Sequence, residues 1–242
     1  MITNDGKFSN HVEHVCSKVK QKSGWITRTF QCRKTWFMKF MWKTLVQCHI
    51  DYCSQLYLCT PGDIQKIENL QRIYTRKIPE LKNLNYWQRL KQLQMLSQER
   101  RAERYKALYI WKILEGLVPN CGLETTNSER RGREIKVPDL KGSSRVKTLR
   151  ENGFHVSGAR TFNSLPKHLR NLSNISVEEF KIKLDQYLEK IPDEPILPDY
   201  TPSACNLVTA KPSNSIIDQG RTNQRRPGWF IRMQGGQTTP LC

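Results

Sequence analysis

The chain has 242 residues, 37% of them apolar, and its 40 Lys and Arg outnumber 22 Asp and Glu to give a formal charge of +18. That length admits one large domain or two small ones, and that sign favours polyanionic partners: nucleic acid, or an anionic membrane surface. No apolar run approaches the roughly 20 residues of a membrane span, and the opening MITNDGKFSNHVEHVCSKVK lacks an apolar signal core, so an intracellular protein of nucleus or cytoplasm with no membrane partner is expected.

The charge is concentrated early. Residues 1–118 hold 21 basic and 9 acidic side chains. Asn10 and Glu13 have capping-box spacing, and Val12, Val15 and Val19 recur at helical intervals. They predict a first helix over about 9–30, bent near Gly24. Thr35 is positioned to cap a second helix. Its apolar stripe reads Phe37, Met41, Leu45 and Leu56, with Cys48 and Tyr52 filling in. Thr60-Pro61-Gly62-Asp63 is a stop and a restart, with Asp63 as the cap. Ile64, Ile67, Leu70, Tyr74 and Ile78 mark one face of a third helix. A short helix is expected over 86–93 and a longer one from Ser97 to about Leu114, with Ala102, Tyr105, Tyr109 and Ile113 inward and Gly116 as its stop.

Residues 119–152 are polar and rich in turn formers and read as a linker, with a short strand expected over 134–137. A helix over 154–162 ends near Pro166. Ser176 and Glu179 form a capping box for another, with the stripe Phe180, Leu184, Tyr187 and Leu188. From Ile191 onward prolines accumulate and apolar residues thin out, which predicts a disordered tail over 191–242. The expected fold class is mainly α: a helical bundle over 1–118, a mixed linker over 119–152, a small helical C-terminal unit over 153–190, then the tail.

No catalytic, metal or cofactor site is expected. There is no adjacent Asp pair, no Gly-rich phosphate loop, no GxSxG and no HExxH. The eight cysteines sit mostly among apolar neighbours and read as reduced, buried thiols. Cys48 and Cys53 have zinc-compatible spacing, but a five-residue helical offset turns the two thiols about 140° apart.

The positive signal is for nucleic acid. Between Glu13 and Asp51 there is no acid, while Lys18, Lys20, Lys22, Arg28, Arg33, Lys34, Lys39 and Lys43 fall in that window. Cations neutralise phosphates, and aromatic rings stack on unpaired bases. Phe37 and Phe40 are assigned to the core. Trp36 and Trp42, off the main stripe, are assigned to the surface and to the binding set. Arg100, Arg101 and Arg104 form a second basic group, for which pairing with Glu99 and Glu103 competes. Arg130, Arg131 and Arg133 form a third, on a loop.

Several segments resemble a known family. KTLVQCHIDYCSQLY, then DIQKIENLQRIYTRKIPEL, then YWQRLKQLQMLSQERRAERYKALYIWKILEG, then RGREIKVP, FHVSGARTFNSLPKHLRN and VEEFKIKLDQYL occur in this order. Together they resemble the region after the catalytic palm in LINE-type, non-long-terminal-repeat retrotransposon reverse transcriptases of the jockey-like kind. The resemblance covers about residues 1–190. It implies a thumb-like helical region that helps hold template RNA and primer DNA. It also implies that the palm, with its Asp-Asp hairpin, and the endonuclease have no counterpart here, as in a truncated or decayed copy of such an element, so the expected chain is not an enzyme. The competing expectation is a helical protein–protein interaction module. It would dock partner helices through Ile64-Ile67-Leu70-Tyr74 and Phe180-Leu184-Tyr187.

Overall fold

A computed structural model describes residues 8–57, 60–120, 122–128 and 132–193. The chain is mainly helical with one small two-stranded sheet. Its first helix, α1 (Ser9–Thr29), runs without interruption through Gly24. It begins one residue before Asn10, with Phe8 at the cap and no side-chain cap, so the expected capping box is not used. Val12, Val15, Val19 and Ile26 are buried along one side of it.

The second helical segment carries the main departure from the periodicity reading. Helix α2 (Thr35–Met41) passes into a π-helical turn over 42–46 and then into α3 (Gln47–Asp51). A π turn inserts one residue and rotates everything after it by about 100°. The chain turns again at Tyr52 and Cys53, where Cys53 has φ +55°, before the short α4 (Ser54–Tyr57). A stripe extrapolated along one continuous helix therefore loses register. Of the expected stripe Met41 is buried and Phe37 and Leu45 are partly buried, Cys48, Tyr52 and Leu56 are exposed, and Met38, Trp42, Val46 and Ile50 supply the rest of the buried side. Thr35 is also not a cap: Lys34 holds that place, and the Thr35 hydroxyl donates to Glu80.

Helix α5 (Pro61–Arg76) is capped by Thr60, whose hydroxyl accepts from the Asp63 amide, with Pro61 at the first helical position. Asp63 thus sits in the first turn, where its charge favours the helix dipole, and is not the cap itself. Ile67, Leu70 and Tyr74 bury against α1 and α2, and the Tyr74 hydroxyl donates to the Met38 carbonyl at 2.9 Å. Helix α6 (Tyr86–Leu93) starts with a full capping box between Asn85 and Gln88. Helix α7 (Gln98–Leu114) starts on Ser97, as expected. It ends in a Schellman arrangement, with Gly116 (φ +71°) donating to Ile113 and Leu117 donating to Lys112.

A polar network threads the first core. The Trp42 indole donates to Gln47 (2.8 Å), Gln47 and Gln98 exchange bonds at 3.2 Å, Gln98 donates to Gln71, and Gln71 donates to the Leu96 carbonyl. Glu68 is fully buried in it and accepts from the Tyr86 hydroxyl and from the Gln98 amide (2.6 Å). Burial outweighs those two bonds and pushes the Glu68 carboxyl up to about 7. The unfolded chain then loses this proton first as pH rises from the ordinary carboxylate range. Stability from this group is full at low pH and declines until pH passes about 7. The decline is at most about 3 kcal/mol. Chemical denaturation between pH 5 and 8 is expected to show a falling midpoint for the wild type and a smaller fall for Glu68→Gln. Parallel pH profiles for the two would remove Glu68 as the cause.

Helix α7 is shared by two cores. Its first half closes the one formed with α1–α5, through Ala102. Its second half, with Ala107, Leu108, Ile110, Trp111 and Ile113, builds a second core against the C-terminal elements. Those are the hairpin β1 (Thr125–Ser128) and β2 (Gly132–Ile135), then α8 (Ser144–Asn152), α9 (Phe154–Asn163), α10 (Lys167–Arg170) and α11 (Val177–Glu189). Trp111 stacks flat on Phe180, with centroids 4.3 Å apart, and donates to the Leu172 carbonyl at 2.8 Å. The segment 119–152 is thus not all linker. Its strand lies over 132–135 rather than 134–137, and Asn163 locks Ile135 in place by bonding both its amide and its carbonyl.

Of the stripes proposed for partner helices, Ile64-Ile67-Leu70-Tyr74 and Phe180-Leu184-Tyr187, Ile67, Leu70, Tyr74, Phe180 and Leu184 are buried in the chain's own cores, while Ile64 and Tyr187 are partly buried and packed against those cores. Residues 191–193, at the start of the expected tail, are still tied to the fold: Asp193 accepts from the Ser97 amide and the Arg100 side chain, both at 2.9 Å. The rest of the tail expected to be disordered, 194–242, lies outside the described residues, as do Arg130 and Arg131.

Candidate nucleic-acid interface

Helix α2 has two unlike faces. At 100° per residue, Trp36, Lys39, Phe40 and Lys43 fall within an arc of roughly 100°. Met38, Met41 and Trp42 lie on the opposite side, in the core. Trp36 is 65% exposed and Phe40 57%, so the assignment of Phe40 to the core is wrong. The register explains this: the buried side is set by Met38 and Trp42, not by Phe37. Trp36 is steadied from one edge by Phe37 (5.7 Å between centroids), which meets Phe30 (5.4 Å), which meets Trp25 (5.6 Å).

Lys39 and Lys43 also reach the wall of a cavity of about 870 Å³ between α2, α6, α7 and α11. Its cations are Lys39, Lys43, Lys91, Arg101, Arg104 and Lys181, against the carboxylates of Asp185 and Glu189. Arg101 and Arg104 are already paired. Arg101 binds Asp51 with both ends of its guanidinium (2.8 and 2.5 Å), and Arg104 binds Asp185 (2.8 Å). Lys181 lies 3.7 Å from Glu178. No ion pair involves Lys39, Lys43 or Lys91 among the described residues. The Lys43 ammonium is pushed below the usual lysine range, first by partial desolvation and then by Lys39 and Arg101. An anion in this groove would relieve that repulsion.

The other expected contacts divide by position. Lys18, Lys20, Lys22, Arg28 and Lys34 are exposed, and none of them lines the groove. Helical geometry sets Lys18 and Lys22 on one side of α1, about 40° apart, and puts Lys20 about 160° from Lys22. The three lysines therefore do not form one stripe. Arg33 is spent on structure, donating to the carbonyls of Thr27 and Phe30 at the end of α1. Trp42 is corrected outright: it is 0% exposed, its indole N–H is bonded to Gln47, and it cannot stack on a base. Arg100 is corrected too. It is 2% exposed and lies against Glu103 (3.5 Å) and Asp193, so no phosphate reaches it without breaking the fold. Arg133, in the third basic group, pairs with Glu115 at 2.8 Å.

Sequence reasoning missed Lys91 and Lys181. Neither belongs to a run of like charge, and only the approach of α6 and α11 to α2 brings them together. Gln94, in the left-handed region at φ +49°, ends α6 and lines the same groove.

The described cysteines are less buried than expected. Cys16 is buried, but Cys32 and Cys48 are exposed and Cys53 is half-buried, all as free thiols. Among the described residues, no three or more His, Cys, Asp and Glu are grouped to hold a metal ion. No helix among them is long and apolar enough to cross a membrane. No protein-family model, curated protein or solved structure matches the chain.

Proposed function

We propose that the chain is a non-catalytic nucleic-acid-binding unit that holds RNA or DNA by its backbone along α2 and the adjoining groove. Its origin, on this reading, is the region that follows the palm in LINE-type reverse transcriptases, as the order of its sequence segments suggests. The observation that carries the binding is the α2 face. Lys39 and Lys43 share a face with the exposed rings Trp36 and Phe40 and open onto a groove that Lys91 also lines, and none of these three lysines has an ion pair among the described residues. Phosphate is the common polyanion with the spacing to use such a row, and the acid-free stretch from residue 14 to residue 50 keeps like charge away from it.

Binding by phosphate contact must weaken as salt rises, because bound counterions are released. Fluorescence anisotropy with a labelled single strand of roughly 20 nucleotides tests this. For about five phosphates contacted, affinity is expected to fall about a hundredfold between about 50 and about 200 mM salt. Binding that ignores salt, or no binding at low salt, would overturn the proposal.

A further inference from the structure

We infer that this surface selects unpaired strands, with Trp36 and Phe40 as stacking platforms and the groove cations as the track for the backbone. The inference rests on the nucleic-acid reading above and names its substrate class. Three observations lead to it.

The first is the exposure of the two rings. Large aromatic side chains on a folded surface cost solvation unless something covers them, and these two stand one helical turn apart on the same face. The chain's own core does not need them, since Met38, Met41 and Trp42 already fill that side of α2.

The second is the setting. The residues between the rings and beside them are cationic: Lys39 and Lys43 on the face, with Lys34 exposed at its start. An apolar protein helix docking on the rings would leave those ammonium groups against it. A polynucleotide gives each a partner, with a base over the ring and a phosphate at the lysine.

The third is the shape. Bases inside a duplex present their edges, and their flat faces are covered by neighbouring pairs. Exposed rings on a short helix gain nothing from a continuous stack, whereas an unpaired base offers its face directly. The groove beside them, lined by Lys91 and Lys181 from two other helices, gives the backbone a path away from the rings.

The test compares a single strand with a duplex of equal length, as both RNA and DNA, by anisotropy at one low salt concentration. The single strands are expected to bind about tenfold more tightly or better. Trp36→Ala combined with Phe40→Ala is expected to lower single-strand affinity at least tenfold, with an unchanged salt slope and an unchanged thermal melt, since both rings are exposed. Trp36→Phe is expected to retain most of the affinity. Equal binding of duplex, or a double variant that binds as the wild type does, overturns this inference while leaving salt-dependent binding intact. Failure of every nucleic acid to bind overturns both readings. So does binding to vesicles of anionic phospholipid with none to oligonucleotides.

Discussion

Trp42→Ala is expected to destabilise the chain by about 4 kcal/mol, the range for removing a fully buried tryptophan from a packed core. The residue has no solvent exposure, and its ring lies 4.7 Å from the Tyr74 ring. Its indole N–H also feeds the Gln47–Gln98–Gln71 network. Alanine would leave a cavity in the first core and remove one of the two donors to the buried Gln47 Oε1, leaving only that of Gln98. Since Trp42 belongs to the π turn, the expected loss extends to the register of α2, and with it to the face carrying Trp36 and Lys39. Equilibrium urea denaturation measures the effect. The result also separates two roles for this residue. A Trp42 used for stacking would lose affinity on substitution and keep its stability, whereas the buried position demands a large loss of stability first.

The second large effect is on binding. Reversing the groove lysines of α2 and the π turn, Lys39→Glu with Lys43→Glu, is expected to weaken an oligonucleotide complex about a hundredfold at low salt, because two phosphate contacts become repulsions. Neither lysine has an ion pair within the described chain, so the fold loses little by their reversal. The Lys43 ammonium is already held below the usual lysine range, first by partial desolvation and then by Lys39 and Arg101. The same reversal at Lys20, on the far side of α1 from Lys22 and outside the groove, is expected to change affinity only slightly and serves as the control.

Much of the fold was legible where a boundary is written in local chemistry. Ser97 and Ser176 cap their helices as their positions imply, and Gly116 ends α7 because the closing turn needs a left-handed residue. The interior of the second segment was not legible. A single inserted residue at the π turn shifts every later side chain, and Met38 and Met41, which precede the turn, give no sign of it. The region 119–152 misled for a different reason. A two-stranded hairpin needs support from elsewhere, and here the support comes from Asn163 and Asn171, far along the chain.

The candidate site was half legible. Composition located the basic window, but it could not tell a lysine that faces solvent from an arginine that secures the fold. Arg33, Arg100, Arg101 and Arg104 all carry charge that the structure already uses, against helix carbonyls or distant carboxylates. The distinction lies in tertiary partners, Asp51, Asp185 and Asp193, that no local spacing reveals. Likewise, Trp36 and Phe40 are exposed on the α2 face, whereas Trp42 faces the core.

The salt dependence of one single-stranded oligonucleotide complex, compared between the wild type and the Lys39→Glu/Lys43→Glu chain, bears most directly on the claim that α2 and its groove hold the phosphate backbone. The expected result is a wild-type slope of log affinity against log salt that becomes shallower by about 1.4 or more in the reversed chain, reflecting two lost contacts. A slope common to both chains, at affinities within about twofold of one another, would place the phosphates elsewhere and contradict it.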